Sequence, residues 1–138
     1  MVRILGISGS LRRGSFNTAL LRAASGLMPQ DEELVVESIS EIPLYNADVE
    51  AQGIPARVVA LKQIVREADG CLLSTPEYNN SIPGVLKNTV DWLSRPATDI
   101  KDVFGGKPVA IMSYSHYVVC LSIDEHLAMK REDCTTPL

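Results

Sequence analysis

Cysteine is scarce and odd in number: Cys71, Cys120 and Cys134 lie at no repeating interval, so they cannot close into a complete disulfide framework. Neither they nor the two histidines, His116 and His126, fall at zinc-ligand offsets. Free thiols in a reducing compartment are the simplest reading. Long apolar runs are missing too. The amino-terminal run holding Val2, Ile4, Leu5 and Ile7 stops at Ser8 and Gly9, too short for a signal h-region or a membrane span. A cytoplasmic protein with no membrane segment is expected. Positive charge is not in excess either, because thirteen Lys and Arg are scattered among seventeen Asp and Glu, for a net charge of −4. Nucleic-acid backbone binding needs a clustered basic field, so no nucleic-acid partner is expected. Any anion site must be local.

What is present suits one globular domain over residues 1–138. Hydrophobic residues make up 46% and charged residues 22% of the chain, and the length supports one core but not two. The stretch 6–17, Gly-Ile-Ser-Gly-Ser-Leu-Arg-Arg-Gly-Ser-Phe-Asn, sits between a short β-branched run and a segment, 18–28, with apolar residues at helical spacing. Strand, loop and helix follow. The first turn of such a helix has unpaired N–H groups at the positive end of its dipole, a ready anion site. Ser10, Ser15 and Asn17 add side-chain donors and Arg12 a charged fork.

Two familiar phosphate loops are excluded. Gly6, Gly9 and Gly14 lack the dinucleotide spacing, and Ser15 stands where a Walker loop needs Lys. A loop for a single phosphomonoester remains, beside the plainer alternative of a turn rich in Gly and Ser for conformational reasons alone.

Farther along, Leu34 to Ile39 reads as a second strand, Ile42 to Asn46 as an ordered loop interrupted by Pro43, and the segment after Pro55 as a helix with Val58, Val59, Leu61, Ile64, Val65 and Ala68 forming an apolar stripe. Cys71, Leu72 and Leu73, followed by Ser74 and Thr75, read as a strand buried on both faces. Ile82, Pro83 and Gly84 lead into an expected helix with Val85, Leu86, Val90, Trp92 and Leu93 on a buried face; a linker is expected from Pro96 to Gly106, and a fourth strand from Lys107 to Met112. Alternating strands and helices imply βαβ units, a parallel doubly wound sheet and three α/β/α layers. Ligands in such sheets bind beyond the carboxyl ends of the strands, where the loops after the first and third strands store their polar residues. The second of these, with Glu77, Tyr78, Asn79, Asn80 and Ser81, suits a planar heterocycle with polar edges; a plain connecting loop is the alternative. Trp92, at helical spacing from Asn88, reads as core.

Two motifs carry a resemblance: Gly9-Ser-Leu-Arg-Arg-Gly-Ser-Phe-Asn17, and Thr75-Pro-Glu-Tyr-Asn-Asn-Ser-Ile-Pro-Gly-Val-Leu-Lys-Asn-Thr-Val-Asp-Trp-Leu-Ser-Arg95. Together they resemble the flavodoxin-like NAD(P)H-dependent FMN reductases, which include chromate, quinone and azo-dye reductases. The likeness runs in register from Met1 to about Met112. It implies that Ser10, Arg12, Ser15, Phe16 (through its backbone) and Asn17 hold the FMN phosphate, and that Pro76, Glu77, Tyr78, Asn79 and Ser81 line the ribityl chain and isoalloxazine. It further implies hydride transfer from NADPH or NADH to FMN and on to small-molecule acceptors in a ping-pong cycle, with no catalytic side chain and no metal. A homodimer or homotetramer is implied, contacting through 87–95 and the 44–46 loop.

The likeness ends after Met112. The family's Gly-rich third loop is not recognisable in Ser113 to Tyr117, and 118–123 has strand character followed by a possible helix at 124–132. With so short a connection, 118–123 pairs antiparallel if it joins the sheet directly, or else packs elsewhere. A truncated or altered carboxyl terminus is expected. An impaired flavin-binding or interaction module is therefore the alternative to an active enzyme.

Overall fold

The computed structural model describes residues 1–114 and 119–123. Five strands, β1 (Val2–Ser8), β2 (Glu32–Glu37), β3 (Gly70–Ser74), β4 (Val109–Tyr114) and β5 (Val119–Ile123), form one sheet in the order β2-β1-β3-β4-β5. The first four are parallel. The helices are α1 (Phe16–Ser25), α2 (Ala47–Gln52), α3 (Ala56–Glu67), α4 (Gly84–Leu93) and α5 (Ile100–Phe104). The crossovers carrying α1 and α3 run in opposite directions along the sheet, so right-handedness places these helices on opposite faces. This is the flavodoxin-like arrangement the pattern implies.

Each helix forms for a local reason and is held by burial. Ser15 caps α1, its Oγ accepting from Thr18 N at 3.2 Å, a bond whose loss costs about 1 kcal/mol. Pro55 and Pro83 precede α3 and α4, where the fixed φ favours a helix start. The core joins Leu5 and Ile7 of β1 to Leu61 and Val65 of α3, Leu86 and Leu93 of α4 and Val103 of α5. Trp92 is fully buried and donates Nε1–H to Pro43 O at 2.8 Å, in keeping with its reading as core.

Several features differ from the expectation. The first helix covers Phe16–Ser25 rather than 18–28 and β4 covers Val109–Tyr114 rather than 107–112, and Val59 and Val90, expected on buried helix faces, are 49% and 38% exposed. The second strand begins two residues earlier, at Glu32, because Val2 pairs with Glu32 at the sheet edge, and an edge strand tolerates acids that face water. Helix α2 falls between the expected loop at 42–46 and Pro55, where no element is expected, and is capped by Asn46, whose Oδ1 accepts from Asp48 N at 2.8 Å. Helix α5, with a 3₁₀ turn (Ala97–Asp99) before it, occupies the expected linker. That segment is anchored by distant charges: buried Lys62 donates to Asp99 Oδ2 at 2.9 Å and to Arg95 O, and Arg66 Nε donates to Asp102 Oδ2 at 2.9 Å.

The hydrogen bond from Lys62 is the main cause holding the Asp99 carboxyl below its ordinary value of 3.8; the charges of Lys62 and Arg66 add to it and desolvation opposes it. A depressed carboxylate pKa stabilises the fold above the unfolded-state value, and the contribution disappears as pH falls through the folded-state value. Between about pH 5 and about pH 3, the wild-type melting temperature is therefore expected to fall more steeply than that of Asp99→Asn. Parallel melting curves for the two proteins would show that the pair contributes no pH-dependent stability.

The tail strand β5 joins β4 antiparallel, from Ala110↔Ile123 to Tyr114↔Val119, as the short connection demands. The expected helix at 124–132 lies outside the described residues.

Candidate functional site

The strand order reverses between β1 and β3, whose carboxyl ends are paired through Ile7↔Leu73 and Ser8↔Ser74. That opens a crevice at the top of the sheet. Gly9 N donates to Ser74 O at 2.8 Å and Thr75 N to Met112 O at 3.0 Å, so the two loops leave the sheet side by side. A Cβ on Gly9 would lie 2.9 Å from Thr75 Cβ, whereas one on Gly14 would meet nothing within 4 Å. Gly9→Ala is therefore expected to lower stability by about 1–3 kcal/mol, and Gly14→Ala to leave it nearly unchanged. Urea denaturation of the two variants would check this; equal midpoints would remove the packing argument.

The first loop is organised by its own hydroxyls. Ser8 Oγ accepts from Ser10 N at 3.3 Å and from Thr18 Oγ1 at 2.8 Å, and Ser10 Oγ accepts from Arg12 N at 3.3 Å. Ser15 N donates to Arg12 O at 3.0 Å. Phe16 and Asn17 occupy the first turn of α1, so their N–H groups have no partner within the helix, and that turn carries no acid. The Ser10 and Ser15 hydroxyl protons and the Arg12 fork complete a set of donors suited to a dianion. Arg12 lies 5.2 Å from the centroid of the exposed Phe16 ring, which in turn lies 4.9 Å from that of Tyr114.

Asn17 is buried, and both ends of its side-chain amide are hydrogen-bonded. Oδ1 accepts from Ser74 Oγ and Tyr114 N, both at 3.0 Å, and Nδ2 donates to Tyr114 O at 3.2 Å. The amide therefore stitches α1 to the ends of β3 and β4, and the donors it leaves are the backbone N–H and the second Nδ2–H.

The second loop is a tight two-residue hairpin. Tyr78 N donates to Ser81 O at 2.9 Å and Ser81 N to Tyr78 O at 3.1 Å, with Asn79 and Asn80 at φ 53° and 59°. Both central residues thus take the left-handed conformation of a type I′ turn, which Asn tolerates. Pro76 is half-buried, and Glu77, Tyr78, Asn79 and Ser81 are exposed beside the crevice. Of the ten residues expected to bind the cofactor, eight stand on the two loops at this edge of the sheet, and Phe16 and Asn17 stand on the first turn of α1 beside them. Sequence reasoning missed Tyr114 and Ser74, which position Asn17; the only signal was a polar residue at the end of each strand. Cys71 is a buried residue of β3, where burial pushes its thiol up against a smaller lowering by Lys107, so it is a neutral packing group.

Comparison with known proteins gives a consistent picture. The model of the NADPH-dependent FMN reductase family matches residues 2–128, running past Met112, where the visible motifs end. The chain is 50% identical over 114 residues to an NAD(P)H-dependent FMN reductase of Pseudomonas aeruginosa, covering 83% of this chain and 60% of the relative. It is 44% identical over 120 residues to a quinone reductase of Escherichia coli K12, covering 86% and 62%. Among solved structures, the flavoenzyme NAD(P)H:(acceptor) oxidoreductase FerB of Paracoccus denitrificans superposes with a TM-score of 0.75 at 35% identity, covering 83% of this chain and 62% of that one. The chain thus spans about three-fifths of the length of the curated relatives it matches.

Proposed function

Because the chain belongs to the NADPH-dependent FMN reductase family, we propose that it binds FMN at the ends of β1 and β3 and passes reducing equivalents from NAD(P)H to quinone-type acceptors. Free flavin, chromate and azo compounds extend the acceptor class by the same resemblance. The observation that carries the reading is the convergence of the donor-rich loop Ser10 to Asn17 with the hairpin holding Tyr78 at one edge of the sheet. FMN supplies the hydride-accepting ring system that no side chain provides.

The residues present fit that group. Its phosphate matches the donor set of Ser10, Arg12, Ser15 and the Phe16 and Asn17 N–H groups, and the open space at Gly14 leaves the cradle unobstructed. Pro76, Glu77, Tyr78, Asn79 and Ser81 would flank the ribityl chain and rings, with exposed polar groups that orient the ligand while leaving one face open to acceptors. Purified protein is expected to be yellow and to bleach when NADPH is added without oxygen. Colourless protein that takes up no added FMN would overturn the reading.

A second reading, a flavin-binding or interaction module without useful turnover, is favoured by β5, which adds antiparallel beside β4 where the resemblance implies a parallel strand. Bound FMN with no NADPH oxidation would select it.

The reading includes a cytoplasmic homodimer. Among the described residues no helix is long and apolar enough to cross a membrane. Leu44 is 84% and Val90 38% exposed, and the 43–45 loop lies against α4 through Tyr45 N to Asn88 Oδ1 and Asn88 Nδ2 to Pro43 O. Exposed apolar side chains grouped in this way suit a subunit contact. Light scattering is expected to give twice the 15.0 kDa chain mass, and Leu44→Asp with Val90→Asp to halve it; a wild-type monomer would exclude the dimer.

A further inference from the structure

We propose that the cleft between α1 and the end of β2 is a second phosphomonoester site, and that it receives the 2′-phosphate of NADPH. The proposal rests on the chain being an NAD(P)H-dependent reductase, and it decides which of the two nicotinamide cofactors that reductase prefers.

The cleft has a volume of about 380 Å³, and Arg12, Arg13 and Arg22 all line it, with Ser38, Ser40 and Leu11. That volume matches a small-molecule site and exceeds the needs of a lone phosphate. Three of the chain's thirteen basic residues meet here, in a protein of net charge −4. Among the described residues none of the three forms an ion pair, whereas Arg3, Arg57 and Arg66 all do. Glu37 also lines the cleft, but Arg57 Nη2 holds its carboxylate at 2.9 Å, so its charge is already offset. The cleft therefore keeps a local positive potential, and guanidinium forks are the side chains best shaped for phosphate oxygens.

The remaining lining suits the rest of an adenosine. The Ser38 and Ser40 hydroxyls, 2.9 Å apart, face a sugar's hydroxyls in size and polarity. Leu11 is half-exposed and offers apolar surface for a base. Ser8 and Ser10 line the cleft as well as starting the first loop, so a nucleotide held there lies beside the proposed FMN site. Arg12 borders both sites, whereas Arg13 and Arg22 line the cleft and take no part in the FMN donor set. NADH carries a neutral hydroxyl where NADPH carries a dianion, so the three guanidinium groups discriminate between them by charge.

The test uses the full chain with FMN present throughout, titrated calorimetrically with adenosine 2′,5′-bisphosphate, 5′-AMP and inorganic phosphate. The 5′-phosphate is common to both nucleotides, so their difference reports the 2′-phosphate alone. The bisphosphate is expected to bind at least tenfold more tightly than 5′-AMP, and Arg13→Ala with Arg22→Ala to abolish that advantage. FMN uptake and melting temperature should be unchanged in this double variant, and KM for NADPH should rise about tenfold with KM for NADH unaltered. Equal affinity for the two nucleotides, or an advantage that survives the double substitution, would overturn the proposal. Inorganic phosphate binding as tightly as the bisphosphate would mark a site for free phosphate and overturn the NADPH assignment. If the protein takes up no FMN while the arginine-dependent preference persists, the reductase reading fails and the cleft stands.

Discussion

Arg12→Ala is expected to weaken FMN binding by about ten- to a hundredfold, from the roughly 1.5–3 kcal/mol of a hydrogen bond to a charged group. The guanidinium is the one full positive charge in the proposed phosphate donor set, and it is braced in place. Its Nη2 donates to Gly14 O at 2.6 Å and its plane lies over the Phe16 ring. Arg12→Lys keeps the charge but loses the fork and the bracing, so recovery should be partial. Because Arg12 is exposed, raising the ionic strength should narrow the gap between wild type and Arg12→Ala. Quenching of FMN fluorescence on titration measures all three proteins. A dissociation constant unmoved by Arg12→Ala would show that the backbone donors hold the phosphate without it.

Asn17→Ala is expected to lower the unfolding free energy by about 2–3 kcal/mol, because it leaves the buried Ser74 Oγ and the part-buried Tyr114 N and Tyr114 O without their partner. That is a large share of the roughly 5–15 kcal/mol typical of a whole domain. Asn17→Asp separates stability from binding. The carboxylate keeps both accepted hydrogen bonds but cannot donate to Tyr114 O, and it brings a negative charge to the first turn of α1 beside the phosphate donors. It should therefore fold better than Asn17→Ala yet bind FMN far more weakly than wild type. Urea denaturation followed by FMN titration would check both. An Asn17→Ala variant as stable as wild type would mean that this amide does not tie α1 to β3 and β4.

How much could be read ahead of the fold depends on how local each cause is. The helices α1, α3 and α4 and the strands β1, β3 and β4 were visible because apolar spacing and Pro at helix starts act within a few residues. The antiparallel pairing of β5 was legible for a similar reason, since a connection of a few residues cannot cross back to a parallel strand. Helix α5 was not legible. Its five residues have too little pattern of their own, and Lys62 and Arg66, which anchor the segment, lie more than thirty residues away on α3. Asn17 was visible as a candidate donor, but not in its actual posture, because Ser74 and Tyr114 meet it only after three strands have assembled.

The chemistry available at the ends of the first and third strands was therefore determined by sequence alone, since a small-residue loop before a capped helix makes an anion cradle wherever the chain goes. Only the tertiary structure decided which groups remain free to use it. Folding commits the Asn17 amide to the sheet, leaves its N–H open, offsets Glu37 with Arg57, and gathers Arg13, Arg22 and Ser38 around one cleft. These outcomes depend on contacts between residues far apart in the chain, and hydrogen-bonding capacity is local whereas its satisfaction is not.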